Sequence, residues 1–207
     1  MDSYITVKEL GEYRFEDRKS VFIGYALPIS SESDAIAFIS SVKKKYPDAR
    51  HWVYAYVIRE NSTMRYSDDR EPQGTAGMPI LDIVRKKNIT DIVVVVVRYF
   101  GGILLGTGGL VHAYSESALG AIEAAHIIKY EVYSTFEINV TYADYQKISS
   151  LLASENFFTE KTDYSDTVNI RGAVNSKIYS EFTEKLAEAT GGRAQIAFIE
   201  EKFDFRE

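Results

Sequence analysis

The chain has 207 residues, 45% of them hydrophobic, a formal net charge of -6 and no cysteine. That length holds one large or two small domains with a proper core, and the missing thiols exclude disulfides, thiolate metal sites and cysteine nucleophiles. The acidic balance excludes a globally basic footprint for nucleic acid, so any such binding must come from a local patch.

From the N-terminus, residues 4–9 and 12–16 read as a short hairpin around Gly11, and 19–29 as a longer strand. Ser31 or Ser33 can cap a helix over 34–45, whose apolar positions Ala35, Ile36, Ile39 and Val42 keep helical spacing. His51 to Ile58 alternates as a strand, Glu60-Asn61 turns, and Met64 to Tyr66 pairs back. A helix over 78–87 follows the polar segment SDDREPQGTAG, with Pro79 tolerated in its first turn. Five consecutive valines within 91–98 form a buried strand, because β-branched residues followed by glycines favour strand over helix. A helix over 109–125 presents Ala113, Ala118, Ala121 and Ala125, small enough for close packing on a sheet.

Beyond Ile127 the order changes. A strand over 129–140, a helix over Tyr142 to Asn156, strands over 157–164 and 167–173, a helix over 174–190 closed by Gly191-Gly192, and a strand over 193–203 make a βαββαβ series. That is a ferredoxin-like split motif, so the fold class is α+β with a boundary near 129–131 and domains of 1–130 and 131–207. The N-terminus has no basic-then-apolar signal, and the longest apolar run is far short of the roughly 18 residues a membrane span needs. A cytoplasmic protein without membrane contact is expected.

Two segments stand out, Ser67 to Leu81 (SDDREPQGTAGMPIL) and Arg98 to Tyr114 (RYFGGILLGTGGLVHAY). They resemble the signature of the IMPACT/YigZ family, an S/DDxEPxGTAGxPIL segment with a later RYFGGxxLGxGGLxxAY segment. The resemblance covers essentially the whole chain. It implies an N-terminal Impact domain like the second domain of ribosomal protein S5, and a C-terminal DUF1949-like, ferredoxin-like domain similar to domain V of elongation factor G. The family's eukaryotic members act in translational control through protein partners, and the resemblance implies the architecture more than the activity. Relatives usually carry a basic residue where this chain has Leu104 and another where it has His112, and often glycine at Arg70, so the expected anion site is weaker here.

The candidate binding set is Arg98 and Tyr99 after the valine strand, Glu71, Gly74, Thr75 and Gly77 in the acidic loop, and Gly101, Gly102, Gly106, Thr107, Gly108, Gly109 and His112. The glycines let backbone N–H groups approach an anion or carbonyl, and Thr107 is expected to cap the following helix. Arg98 would meet phosphate while an aromatic neighbour stacks on a base, which gives an RNA- or ribosome-associated reading. A protein-interaction module in translational or stress control needs no basic surface and stands beside it. For chemistry, Asp68, Asp69 and Glu71 could hold a divalent cation for a metal-assisted hydrolase, and His51 could act as a base oriented by Asp68 or Asp69. Against these stands a structural reading in which Asp68 and Asp69 serve the turn, Glu71 pairs with Arg98 and His51 is a packed strand residue. The three separated histidines, His51, His112 and His126, make no metal motif, so no metal and no cofactor is expected. In the C-terminal half, Tyr142, Tyr145, Phe157, Phe158 and Tyr164 could make an aromatic platform, but their spacing is mostly that of a two-layer core and its rim; if the exposed sheet face binds RNA, Arg171 is the best basic candidate, and a subunit or domain interface on that face stands beside it.

Overall fold

The computed structural model describes residues 3–154 and 157–206. The protein is α+β and divides into two compact units between Lys129 and Tyr130. In chain order the elements before Ala125 are β1 (Ser3–Val7), β2 (Gly11–Asp17), β3 (Ser20–Pro28), α1 (Glu32–Lys45), β4 (His51–Ile58), a 3-10 turn at Glu60–Ser62, β5 (Thr63–Ser67), α2 (Gly77–Lys86), β6 (Ile92–Tyr99) and α3 (Gly106–Ala124). Strands β2 to β6 form an antiparallel sheet in the order β2-β3-β6-β4-β5.

The valine run explains the layering. Ile92, Val94 and Val96 face a core shared with α2 and α3, whereas Val93, Val95 and Val97 face a second core shared with α1. A central strand covered on both faces needs apolar residues at every position, not at alternate ones. The alanine face of α3 does what its small side chains permit: Ala113, Ala118, Ala121 and Ala125 are fully buried, and a Cβ on Gly24 of β3 would come 2.3 Å from the Ser117 carbonyl oxygen. Helix α1 starts with a reciprocal capping box, in which the Ser31 hydroxyl accepts from the Asp34 N–H and the Asp34 carboxylate accepts from the Ser31 N–H.

The expected opening hairpin around Gly11 does not form. Strand β2 pairs with β3 instead, from Gly11 opposite Ala26 to Asp17 opposite Ser20, and β1 bridges Ile89 in parallel. The connection is a two-residue turn, Arg18-Lys19, with φ of +44° and +65°. Consecutive left-handed residues match the twist of the flanking strands. Nothing in the pair Arg-Lys advertises such a turn, because glycine and asparagine usually supply it.

The second unit is built on β7 (Ile127–Val140), which crosses the unit boundary, α4 (Tyr142–Leu152), β8 (Phe157–Tyr164), β9 (Val168–Asn175), a 3-10 turn at Ser176–Ile178, α5 (Tyr179–Thr190) and β10 (Gln195–Asp204). Its strands run β8-β9-β7-β10, each pair antiparallel. Phe136, Ile138, Ile148, Ile170, Phe182 and Leu186 centre its core. The expected helix over 142–156 stops at Leu152, and its last two positions, Glu155 and Asn156, lie outside the described residues. Helix α5 begins later than the expected residue 174. Val174 stays in the strand and the core, while the Asn175 side chain accepts from the Lys177 N–H and closes a turn first. Gly191, at φ +61°, ends α5 in the left-handed conformation that costs glycine least.

Candidate functional site

Arg98 stands opposite both His51 on β4 and Phe22 on β3, at the end of the central strand. The acidic loop after β5 brings Glu71 back to it, with Arg98 Nη1 2.5 Å from Glu71 Oε1. The same carboxylate oxygen accepts from the Tyr114 hydroxyl of α3 at 2.8 Å, and His51 Nε2 lies 3.7 Å away. Two distant segments therefore meet, and they meet in the interior: Arg98 is 5% exposed, Glu71 is buried and Tyr114 is fully covered. Burial and the adjacent Glu71 push the Tyr114 phenol well above its usual value, so it remains a hydrogen-bond donor. Arg98 Nε is buried and has no hydrogen-bond partner among the described residues.

A cavity of about 390 Å³ opens beside this network. Arg50, His51, Glu71 and Arg98 supply its polar lining; Pro72, Phe100, Leu104, Leu105 and Leu110 supply an apolar wall; Gly106 and Thr107 bring in the start of α3. Phe100 is 40% exposed and Leu104 80% exposed, so the loop between β6 and α3 forms an apolar lip. Arg50, Arg18 and Lys19 are exposed. Arg18 reaches the lip, with Nη1 3.4 Å from the Leu104 carbonyl oxygen. The Lys19 backbone lies against Gly101, where a Cβ would come 2.0 Å from the Lys19 carbonyl carbon. Arg18, Lys19 and Arg50 have no acidic partner among the described residues. The mouth is thus basic although the chain is acidic.

The remaining candidates sort by what they touch. Asp68 is committed to the backbone: Oδ2 accepts from Gly74 N, and Oδ1 accepts from Ala76 N and Gly77 N. It serves as the cap that α2 otherwise lacks, since the N-cap residue Ala76 offers none. The Asp69 carboxylate accepts from Trp52 N. His51 Nδ1 lies 2.8 Å from the Asp69 carbonyl oxygen, which can only accept, so Nδ1 carries a proton and the group orienting the ring is main chain, not a carboxylate. Asp68, Asp69 and Glu71 each point to a different partner, and no cluster of three or more His, Cys, Asp or Glu able to hold a metal ion occurs among the described residues. The metal-assisted hydrolase loses its geometry.

Several binding candidates also lie elsewhere. Tyr99 faces the α1 side of the sheet, where its hydroxyl donates to Asp48. His112 is exposed on α3 and meets the Phe15 ring edge-on, outside the cavity lining. Thr75 is buried and donates to the Pro72 carbonyl. Gly74 and Gly77 serve the acidic turn and its junction with α2. Thr107 does not cap α3, because the helix begins at Gly106 and its N-cap position, Leu105, has no side-chain capping bond. Gly101 is fixed by the Lys19 backbone, Gly109 meets Leu105 Cβ at 3.0 Å, and Gly102 and Gly106 adopt positive φ. Gly108 alone among the loop and first-turn glycines meets nothing within 4 Å and has no positive φ. In the second unit, Arg171 is held by Glu160, and Phe157 is buried in the core, so neither belongs to an RNA platform.

Sequence reasoning missed Tyr114, Arg50 and the Arg18-Lys19 turn. Tyr114 had a signal: a lone tyrosine in an alanine-faced helix needs a partner for its hydroxyl. The basic turn had none.

The fold and site define an α+β protein whose N-terminal sheet, layered by helices on both faces, ends in a cavity with a buried charged network and a basic, apolar mouth. The Impact N-terminal domain matches residues 18–122, and a domain of unknown function, DUF1949, matches residues 138–193. The IMPACT family member YvyE of Bacillus subtilis (strain 168) is 36% identical over 197 residues, covering 95% of this chain and 91% of the relative. The IMPACT family member YigZ of Escherichia coli (strain K12) is 35% identical over 189 residues, covering 90% and 93%. A crystal structure described as that of an hypothetical protein is 34% identical, with a TM-score of 0.60, over 98% of this chain and all of that one. The chain belongs to the IMPACT family.

Proposed function

We propose that the chain is a non-enzymatic, cytoplasmic accessory protein of translation or its regulation that binds RNA, free or on the ribosome, through the mouth of the N-terminal cavity. One observation carries this: Arg50 lines the same cavity as the half-exposed Phe100, Arg18 reaches the Leu104 carbonyl on its lip, and these two exposed cations and the neighbouring Lys19 have no acidic partner among the described residues. Cations that meet phosphate beside a ring that stacks on a base are the minimal equipment for single-stranded RNA. Arg98 is not the phosphate contact, since it is buried on Glu71. It shapes the cavity from below. The fold kinship invoked for each unit is ribosomal protein S5 domain 2-like for the first and ferredoxin-like, as in elongation factor G domain V, for the second. The β8-β9-β7-β10 order of a βαββαβ unit supports the latter.

The test is binding of structured and single-stranded RNA, and of ribosomes, at two salt concentrations. Three phosphate contacts on a single strand give a slope of log affinity against log salt of about -2. The Arg18→Ala/Arg50→Ala variant should lower affinity at low salt and flatten that slope by roughly 1.4. Absence of binding at low salt, or an unchanged slope in the variant, overturns the proposal. A protein partner is the second reading, favoured by Ile103 and Leu104 standing exposed side by side on the lip. It predicts binding to ribosomes that survives nuclease, is insensitive to salt and is lost in Ile103→Ala/Leu104→Ala.

A further inference from the structure

The polar end of the cavity offers acceptors that the internal network leaves unused. Both side-chain hydrogen bonds that Glu71 accepts, from Arg98 and from Tyr114, arrive at Oε1, and Oε2 accepts none from the described residues. The side chain is only 4% exposed. Even so, Oε2 is not among the fully covered side-chain atoms left without a partner, which are Arg98 Nε, Thr135 Oγ1 and Arg206 Nε. A carboxylate oxygen neither bonded nor sealed, on a residue that lines the cavity, is open to that cavity.

His51 repeats the pattern. Its Nδ1 proton is held by the Asp69 carbonyl, so in the neutral ring Nε2 is a bare acceptor. That nitrogen lies 3.7 Å from Glu71 Oε1, has no hydrogen bond among the described residues and is not sealed either. His51 lines the same cavity. Two open acceptors side by side fit an occupant that brings donors in place of water.

The rest of the lining narrows the choice. Pro72, Phe100, Leu104, Leu105 and Leu110 make apolar walls suited to a flat ring. About 390 Å³ is near the small end of ligand sites, room for one ring system and not for a strand passing through. Arg50 on the lining and Arg18 at the lip are exposed without an acidic partner among the described residues. Such a mouth repels a cationic donor, such as a lysine or arginine side chain, and draws phosphate. The donor is therefore uncharged, planar and joined to phosphate. Among RNA bases only guanine has two adjacent donors, N1–H and the N2 amino group, on its Watson–Crick edge; uracil has one donor between two carbonyls, and adenine and cytosine set one amino group beside a ring acceptor.

We propose that the cavity receives one unpaired guanine of an RNA strand, its N1–H and N2 amino group donating to Glu71 Oε2 and His51 Nε2, its ring against Phe100 and its backbone phosphates at the cationic mouth. This rests on the RNA reading above and adds the base that the site selects.

The experiment measures binding of the full chain to oligouridines carrying one central guanosine, inosine, 1-methylguanosine or adenosine, with plain oligouridine as the baseline and with guanosine and N-acetylarginine amide as competitors. The guanosine oligomer should bind on the order of tenfold tighter than the adenosine oligomer or the baseline. Inosine, which lacks the N2 amino group, should lose part of that gain, and 1-methylguanosine, whose N1 carries no hydrogen, should lose most of it. Glu71→Gln keeps an oxygen for Arg98 and Tyr114 but puts an amide donor in place of Oε2, so it should abolish the preference; His51→Phe should narrow it. Thermal unfolding shows whether each variant folds, and the base series on the unaltered chain decides the matter if one does not. Equal affinity for the guanosine and adenosine oligomers, a gain that inosine and 1-methylguanosine keep in full, or a preference that persists in both folded variants overturns the guanine site and leaves RNA binding standing. Binding of none of the oligomers at low salt overturns the RNA reading, and this one with it. Displacement of the guanosine oligomer by less N-acetylarginine amide than guanosine overturns the base assignment in favour of a peptide side chain.

Discussion

Most basic side chains of the C-terminal unit are paired, whereas those at the mouth of the N-terminal cavity are not. In the C-terminal unit, Lys147, Lys161, Arg171, Lys185, Arg193, Lys202 and Arg206 each lie within ion-pair distance of a carboxylate. In the N-terminal unit, Arg98 is paired and buried, while Arg50 on the cavity lining, Arg18 at the Leu104 carbonyl and the adjacent Lys19 have no acidic partner among the described residues. A basic side chain already matched to a carboxylate has little left to offer a phosphate. Exposed cations without a carboxylate partner retain that attraction. Composition alone hides the contrast, because both kinds of arginine count equally towards a net charge of -6.

The comparison breaks most readily at Glu71. Its side chain and that of Arg98 are 4% and 6% exposed, so Glu71→Ala leaves a buried guanidinium uncompensated and should cost about 3–5 kcal/mol. Trp52, the chain's single tryptophan, lies in the same unit and reports this loss in urea unfolding. A cost below about 1 kcal/mol would place the pair in the class of exposed ion pairs instead. The C-terminal counterpart is Asp144. Hydrogen bonds from Arg193 and Lys147 hold its carboxyl well below the usual carboxylate range. A depressed folded value contributes stability that is complete above the unfolded value, about 3.9, and is lost as pH falls from there towards the folded one. Asp144→Asn should therefore flatten the acid limb of far-ultraviolet circular dichroism below about pH 4 and leave the Trp52 signal unmoved; a limb unchanged in the variant refutes the linkage. The smallest effect sharpens the contrast. Arg171→Ala, which removes a cation already held by Glu160, should change RNA affinity by less than about twofold, within the range of a neutral surface change. A drop as large as that of Arg18→Ala/Arg50→Ala would move the binding surface to the second unit.

Local pattern carried most of the fold. The capping box at Ser31, the alternation of residues 51–58, the unbroken valine strand, the alanine face of α3 and the glycine stop after Thr190 are all decided by neighbours in sequence, and each appears where its residues demand. Two of the errors share a cause. Strand β2 chose β3 over β1 because Arg18 and Lys19 adopt left-handed conformations that their side chains do not announce. Helix α3 started before Thr107, and Thr107 gave up its capping role, because Gly106 at φ +74° already turns the chain into the helix.

The sequence by itself determined the α+β class, the family signature and the two segments from which the cavity is made. Only the tertiary structure decided which charges are spent and which are free. Strand register sets Arg98 opposite His51 and under Glu71 and Tyr114, while a turn two strands away sets Arg18 beside Leu104. The reason is electrostatic: what a charge can do depends on its partner and its access to water, and in a folded chain both are fixed by residues far apart in sequence.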